Sequence, residues 1–282
     1  MQPEDPIVSC AWLAERLDAP DIRIIDATWF LPGNQRDAKA LYAARRIPGA
    51  IFFDIDEIAD KDTNLPHMLP SPEKFASRMK KLGIGDGARI VVYDSQGLFS
   101  AARVWWTFRV MGHEDVKVLD GGFPAWERAG YAVETTPPQQ RMERHFTARF
   151  RADLVRDLSD MRRAVDNGAQ ILDARPNPRF RGEAPEPRPG LKSGHMPGAH
   201  SVPSGSLVNE KGELRSREEL AAIFKAAGAE PAQPAITTCG SGVTAPIIAL
   251  ALARLGRWDA AVYDGSWAEW GAKSDTPVAT DA

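Results

Sequence analysis

The sequence predicts an α/β fold made of two tandem domains, each a mainly parallel central sheet flanked by helices. Three observations carry this. Short apolar runs alternate with helical patterns along the chain, as when parallel strands are joined by crossover helices. Four blocks of sequence recur at a nearly constant separation. A polar stretch containing Pro137-Pro138 divides the two halves.

The repeat is specific. Ile24-Ile25-Asp26-Ala27 returns as Ile171-Leu172-Asp173-Ala174, and Arg46-Ile47-Pro48-Gly49-Ala50 as His195-Met196-Pro197-Gly198-Ala199. Ile90 to Asp94 aligns with Ala235 to Cys239, and Leu119 to Trp126 with Tyr263 to Trp270. The separations are 147, 149, 145 and 144 residues. Residues 1–135 are therefore read as one domain, 136–152 as a linker and 153–282 as a second, homologous domain.

Within the first unit, Ser9 caps a helix through Leu17, and Ile22 to Ala27 form a strand. Ser71-Pro72-Glu73 introduces a helix from Phe75 to Leu82. Arg89 to Tyr93 is the central strand, followed by a helix from Ala101 to Met111, a strand from Val116 to Leu119 and a short helix over Trp126 to Ala129. The second unit repeats the scheme. Its helix is Leu158 to Asn167, its strand Ile171 to Ala174, and a further helix runs from Arg217 to Ala227. A strand then leads into Cys239, a helix runs to Leu255, and Ala261 to Tyr263 form the last strand. The tail after Lys273 reads as extended or loosely held. Trp105, Trp106, Trp126, Trp267 and Trp270 fall at repeat positions or on apolar helix faces and read as core.

Composition bounds the function. Hydrophobic residues make up 43% and charged residues 26%, with a formal net charge of −3 and no long basic run. Nothing there supports binding to nucleic acid or to an anionic membrane. No apolar run approaches the length of a transmembrane helix, and the N-terminus lacks a secretory signal pattern. The two cysteines, Cys10 and Cys239, form no disulfide framework, and no histidine cluster has metal-ligand spacing. A reducing, cytoplasmic setting is expected.

Cys239 lies between a short β-prone strand and a buried helix that opens at Pro246. Gly240 and Gly242 let the backbone curl so that successive N–H groups point inward. With the positive end of the helix, they favour an anion at the centre and so the ionised, nucleophilic form of a thiol. The alternative is a buried structural cysteine in an α/β core. In the first unit Asp94 stands at the equivalent position, and Ser95-Gln96-Gly97-Leu98-Phe99 does not repeat the glycine pattern. A carboxylate does not replace a sulfur nucleophile, so the first domain is expected to be catalytically inactive.

The segment Cys239-Gly-Ser-Gly-Val-Thr-Ala resembles the active-site loop of the rhodanese-type sulfurtransferases, in the form seen in their 3-mercaptopyruvate-using members. The likeness extends over nearly the whole chain and implies two rhodanese-like domains with an inactive N-terminal half. It implies transfer of sulfur from 3-mercaptopyruvate, through a Cys239 persulfide, to a thiol acceptor such as thioredoxin or to cyanide, with no cofactor and no metal. The amides of Gly240, Gly242, Val243 and Thr244 would cradle substrate and persulfide. Within Arg179-Phe-Arg-Gly-Glu-Ala-Pro-Glu-Pro-Arg188, the resemblance assigns Arg179 and Arg188 to the substrate carboxylate. It assigns Ser241, His67 and Asp56 to a proton relay, which requires His67 to cross the domain seam.

Three other readings stay open. Thiosulfate as donor would profit from cations after the cysteine, where Gly240 and Ser241 stand. A cysteine phosphatase would need an arginine where the sequence has Ala245. A non-enzymatic binding module would leave Cys239 no more reactive than Cys10.

Overall fold

The computed structural model describes residues 5–280 and contains two five-stranded parallel sheets. In the first, β1 (Ile7–Val8), β2 (Ile22–Asp26), β3 (Ile51–Phe52), β4 (Arg89–Tyr93) and β5 (Val116–Leu119) lie in the order β1-β5-β4-β2-β3. In the second, β6 (Val155–Arg156), β7 (Ile171–Asp173), β8 (His200–Ser201), β9 (Ile236–Thr238) and β10 (Ala261–Tyr263) lie in the equivalent order β6-β10-β9-β7-β8. Every pairing within both sheets is parallel. The interior strands are mostly buried on both faces, as helices on both sides demand. Asp94 and Cys239 stand just past the carboxyl ends of the middle strands β4 and β9, where open α/β sheets hold their ligands.

The helices Ala101–Val110 and Ala245–Arg254 follow those two strands and meet at the seam between the domains. All ten residues of the first helix are buried, and nine of the ten in the second. One hydrophobic cluster therefore runs through both domains, from Val92 and Trp105 to Ile247 and Leu250. The five repeat-position tryptophans are at most 1% exposed. Four of them donate their indole N–H to a backbone carbonyl; Trp106, for example, donates to Leu154. A buried indole with its N–H satisfied contributes its full apolar area to the core.

The structure departs from the sequence expectations at the edges. The first helix is short, Cys10–Ala14, with Ser9 accepting from the Trp12 amide as its cap. A helix at Ala38–Ala44, capped by Asp37, was not expected. Through residue 280 the tail is anchored rather than loose, and residues 281 and 282 lie outside the described residues. Thr276 is 4% exposed, Ala279 pairs with His195, and the Trp270 indole donates to Pro277 O. Residues 136–151 form no helix or strand and lie along the first domain, with Phe146 buried and the Arg149 amide donating to Met111 O.

Candidate active site

Cys239 is 2% exposed, and its Sγ accepts the Gly242 N–H at 3.1 Å. Gly242 has φ +78°, and a Cβ there would lie 2.7 Å from Asp264 O and 2.9 Å from Arg103 Nη1. Only glycine takes this φ and turns the amide onto the sulfur without a clash against the Asp264 carbonyl and the Arg103 guanidinium. Ser241 and Val243 are buried in the loop, and Thr244 is the N-cap residue of the following helix without a side-chain cap bond. The Cys239 amide is held by Ser266 Oγ at 3.3 Å, and that hydroxyl donates to Tyr263 O at 2.8 Å.

The first domain shows what such a loop binds. Asp94 Oδ1 accepts from the Gln96 amide, and Oδ2 accepts from the amides of Phe99, Ser100 and Ala101, all at 2.8–2.9 Å. The loop thus forms an anion nest although it lacks the second domain's glycine pattern. Asp94 fills that nest with its own carboxylate and acts as a cap, not as a partner of Cys239. Counted from the helix starts, the equivalent amides in the second domain belong to Val243, Thr244 and Ala245. An anion on the Cys239 side would meet this nest at the helix N-terminus.

His67 and Asp56 come together in the first domain. His67 Nδ1 lies 2.5 Å from Asp56 Oδ1, and the Trp29 indole donates to Asp56 Oδ2 at 2.8 Å. Trp29 also packs edge-on against the imidazole, with ring centroids 4.8 Å apart. Burial pushes the Asp56 carboxyl up, but the His67 and Trp29 bonds outweigh it and hold the group below its ordinary value. Arg188, from the second domain, reaches His67 Nε2 at 3.4 Å. A guanidinium has no acceptor, so Nε2 accepts and the imidazole proton lies on Nδ1, toward Asp56. The dyad thus crosses the seam, and it meets Arg188. Among the described residues, no hydrogen bond joins Ser241 to His67.

Burial pushes the Arg188 guanidinium below its ordinary value; the Cys239 sulfur pulls it back up, and neighbouring Arg179 pushes it further down. Arg179 is pinned by Glu186, whose side chain is 2% exposed and also accepts from the buried Arg175 at 2.7 Å. Arg175 in turn grips Asp173 and lies over Trp267 at 4.1 Å. A Cβ on Gly240 would fall 2.9 Å from Arg179 Nη2, so the guanidinium occupies the space a side chain at 240 would need.

Two cations, an imidazole–carboxylate pair and a thiol at an amide nest converge on one place between the domains. Residues 9–129 and 157–273 each match the rhodanese-like domain. The chain belongs to the rhodanese family. Among rhodanese-family relatives, the 3-mercaptopyruvate sulfurtransferase of Escherichia coli is 46% identical over 273 residues, covering 96% of both chains. The mitochondrial thiosulfate/3-mercaptopyruvate sulfurtransferase 1 of Arabidopsis thaliana is 41% identical over 97% of this chain and 78% of its own. The crystal structure of the Escherichia coli 3-mercaptopyruvate sulfotransferase superposes with a TM-score of 0.85 at 44% identity, covering 94% of this chain and 99% of that one.

Sequence reasoning missed Trp29, Glu186, Ser266, Arg103 and Asp264. Asp264 and Ser266 left readable traces, because both lie in a repeat block, where the first copy has Asp120 and Gly122. Among the described residues, no group of acidic, His or Cys side chains is arranged to hold a metal, and no helix is long and apolar enough to cross a membrane.

Proposed function

We propose that this sulfurtransferase takes sulfur from 3-mercaptopyruvate and passes it, through a persulfide on Cys239, to a thiol or to cyanide, releasing pyruvate. The observation that carries this reading is Arg188, which reaches His67 Nε2 at 3.4 Å and is close enough to Cys239 to feel the charge of its sulfur. A guanidinium there suits a planar carboxylate next to the carbon–sulfur bond that breaks. Arg179, pinned by Glu186 beside Gly240, supplies a second cation near the loop.

The Cys239 thiolate attacks the donor sulfur. The sulfur–carbon bond breaks with its electron pair going to carbon, giving the pyruvate enolate. The donor thiol proton ends on that carbon, and His67 can carry it through Nε2 once the substrate carboxylate draws Arg188 away from that nitrogen. The product on the enzyme is Cys–S–S⁻, an anion for the amides of Gly242, Val243 and Thr244. An acceptor thiolate or cyanide then takes the outer sulfur and regenerates the Cys239 thiolate, so the reaction divides into two half-reactions. Ser241, buried beside the sulfur, is a candidate donor to the substrate. The first domain, with Asp94 in its nest, walls the site and supplies His67 and Asp56. A thioredoxin-type dithiol in a cytoplasmic setting fits the acceptor role.

Thiosulfate is the second reading, because the Arabidopsis relative's name carries both donors. Gly240 and Ser241 put no cation next to the sulfur, which places thiosulfate behind 3-mercaptopyruvate. Parallel kinetics with the two donors, with intact-mass detection of the persulfide, test the reading. The wild type should gain one sulfur from 3-mercaptopyruvate and Cys239→Ser none. Arg188→Ala should raise KM for 3-mercaptopyruvate by about tenfold or more, and far less for thiosulfate. Equal effects on both donors remove the carboxylate role.

A further inference from the structure

The seam between the domains is held by a pseudo-symmetric pair of contacts. Asp264 Oδ2 accepts the Leu69 amide at 2.7 Å, and Asp120 Oδ1 accepts the Leu214 amide at 2.8 Å. Asp120 and Asp264 are repeat partners, and so are Leu69 and Leu214, at separations of 144 and 145 residues. Each domain therefore catches a loop of the other in the same way.

Arg103 breaks this symmetry on the Cys239 side alone. It is 2% exposed, and its Nη1 donates to Asp264 Oδ1 at 2.5 Å and to Gly242 O at 3.0 Å. Its Nη2 donates to His67 O. Counted from the helix starts, its counterpart in the second domain is Ile247, a buried hydrocarbon. At the pseudo-equivalent place the cation near Asp120 is instead Arg254, from the last position of the second-domain helix, which donates to Leu214 O and Arg215 O. The three acceptors of Arg103 belong to the two halves of the site. Gly242 is the residue whose N–H points at the sulfur. His67 sits at φ +61°, a left-handed conformation that a side-chain-bearing residue keeps only when its surroundings hold it there.

We infer that Arg103 is a positioning residue: paired with Asp264, its guanidinium sets the His67–Asp56 dyad and the Cys239 loop in register across the domain seam. It touches neither donor nor sulfur and acts through the two carbonyls it binds. This rests on the sulfur-transfer reading of the same site.

The test uses Arg103→Lys, Arg103→Met and the double variant Arg103→Met/Asp264→Asn. The double variant leaves no unpaired buried charge, while the side-chain oxygen at position 264 still accepts the Leu69 amide. Steady-state kinetics with 3-mercaptopyruvate, thermal denaturation and the rate of Cys239 alkylation by iodoacetamide at pH 7 are measured on each. A displacement of one ångström at a reacting centre costs on the order of a hundredfold, so kcat should fall by at least about tenfold in the double variant, with KM changed less than about threefold and Tm near that of the wild type. Arg103→Lys, which reaches fewer of the three carbonyl and carboxylate oxygens, should lie between the two. If activity returns together with stability in the double variant, or if Arg103→Lys turns over like the wild type, the residue is structural only and the inference is overturned. Alkylation needs no sulfur donor, so it separates the two ideas. A slowed Cys239 in a protein that never used 3-mercaptopyruvate would sink the donor assignment and keep the clamp, whereas unchanged alkylation beside unchanged kcat removes the clamp.

Discussion

The Asp94 carboxylate occupies in the first domain the place that the Cys239 thiol occupies in the second. Four backbone amides converge on Asp94. The anion nest is thus a property of the strand–loop–helix geometry, and the side chain after the strand decides its use. A carboxylate fills it permanently, while on the proposed mechanism a cysteine leaves it to the outer sulfur of a persulfide.

Asp94→Asn tests the first half of that statement. An amide side chain turns an N–H₂ toward donors that need an acceptor, and leaving buried amides unpaired costs about 1–3 kcal/mol. The variant should lose about that much stability in urea denaturation and keep the wild-type KM for the sulfur donor. A stability equal to the wild type would mean that Asp94 is a bystander in its own loop.

Ser266 illustrates a second divergence between the repeats. Its counterpart Gly122 has φ +55°, a value natural for glycine, while Ser266 holds φ +50° with a side chain attached. What it gains is the hydroxyl that fixes the Cys239 amide. Ser266→Gly should therefore relieve about 1 kcal/mol of backbone strain and offset it by the lost hydrogen bond, leaving Tm nearly unchanged. Its kcat should drop several-fold because the nucleophile's backbone is less well held. Unaltered kcat together with a large fall in Tm would assign Ser266 to stability instead.

The fold was legible because the chain spells its topology twice, and the Cys239 loop because its glycines and Pro246 are local signals. Other parts were not. The helix Ala38–Ala44 buries none of its residues, so it has no apolar stripe to read. The edge strands β1, β3, β6 and β8 are two residues long, too short for an alternating pattern. Arg103 lies in an apolar helix and reads as an intruder in the core, since its partners are 139 and 161 residues away along the chain. The meeting of Arg188 with His67, 121 residues apart, is likewise invisible until the two domains are folded together.

The His67–Asp56 pair makes a prediction of its own. If the imidazole carries a proton between donor and product, His67→Ala should lower kcat with 3-mercaptopyruvate by about a hundredfold, within the range for general acid–base catalysis. Asp56→Asn leaves the ring in place but removes the charge that keeps the proton on Nδ1, and should cost less than His67→Ala. Rates unchanged in both variants across pH 6–9 end the relay, whatever the distance between the two groups.

Asp26 gives a pH dependence without touching the site. Burial pushes its carboxyl up to about 6, while Thr28 holds the carboxylate through its amide and hydroxyl. The folded protein therefore keeps a proton that the unfolded chain releases near pH 4, and stability falls as the pH rises from about 4 to about 6. At about 1.4 kcal/mol per pH unit, the penalty above that window is at most about 3 kcal/mol. Asp26→Asn, whose Oδ1 still accepts from Thr28, should be more stable than the wild type at pH 7.5 and no different near pH 4. Urea titrations at the two pH values check it, and a variant that is weaker at pH 7.5 contradicts the burial argument.

Gly240 and Arg179 compete for one volume, and that competition bears on the choice of donor. A methyl group at 240 would meet Arg179 Nη2 at 2.9 Å, and the far end of a flexible side chain is what must give way. Gly240→Ala is therefore expected to leave Tm within a few degrees of the wild type. It should raise KM for 3-mercaptopyruvate several-fold, because the displaced guanidinium no longer lies over the loop. The effect should vanish in an Arg179→Ala background, since there is then nothing left to displace, and the double-mutant cycle reads that coupling directly. Fully additive losses would show that residue 240 acts on the Cys239 loop itself and that Arg179 answers to Glu186 alone.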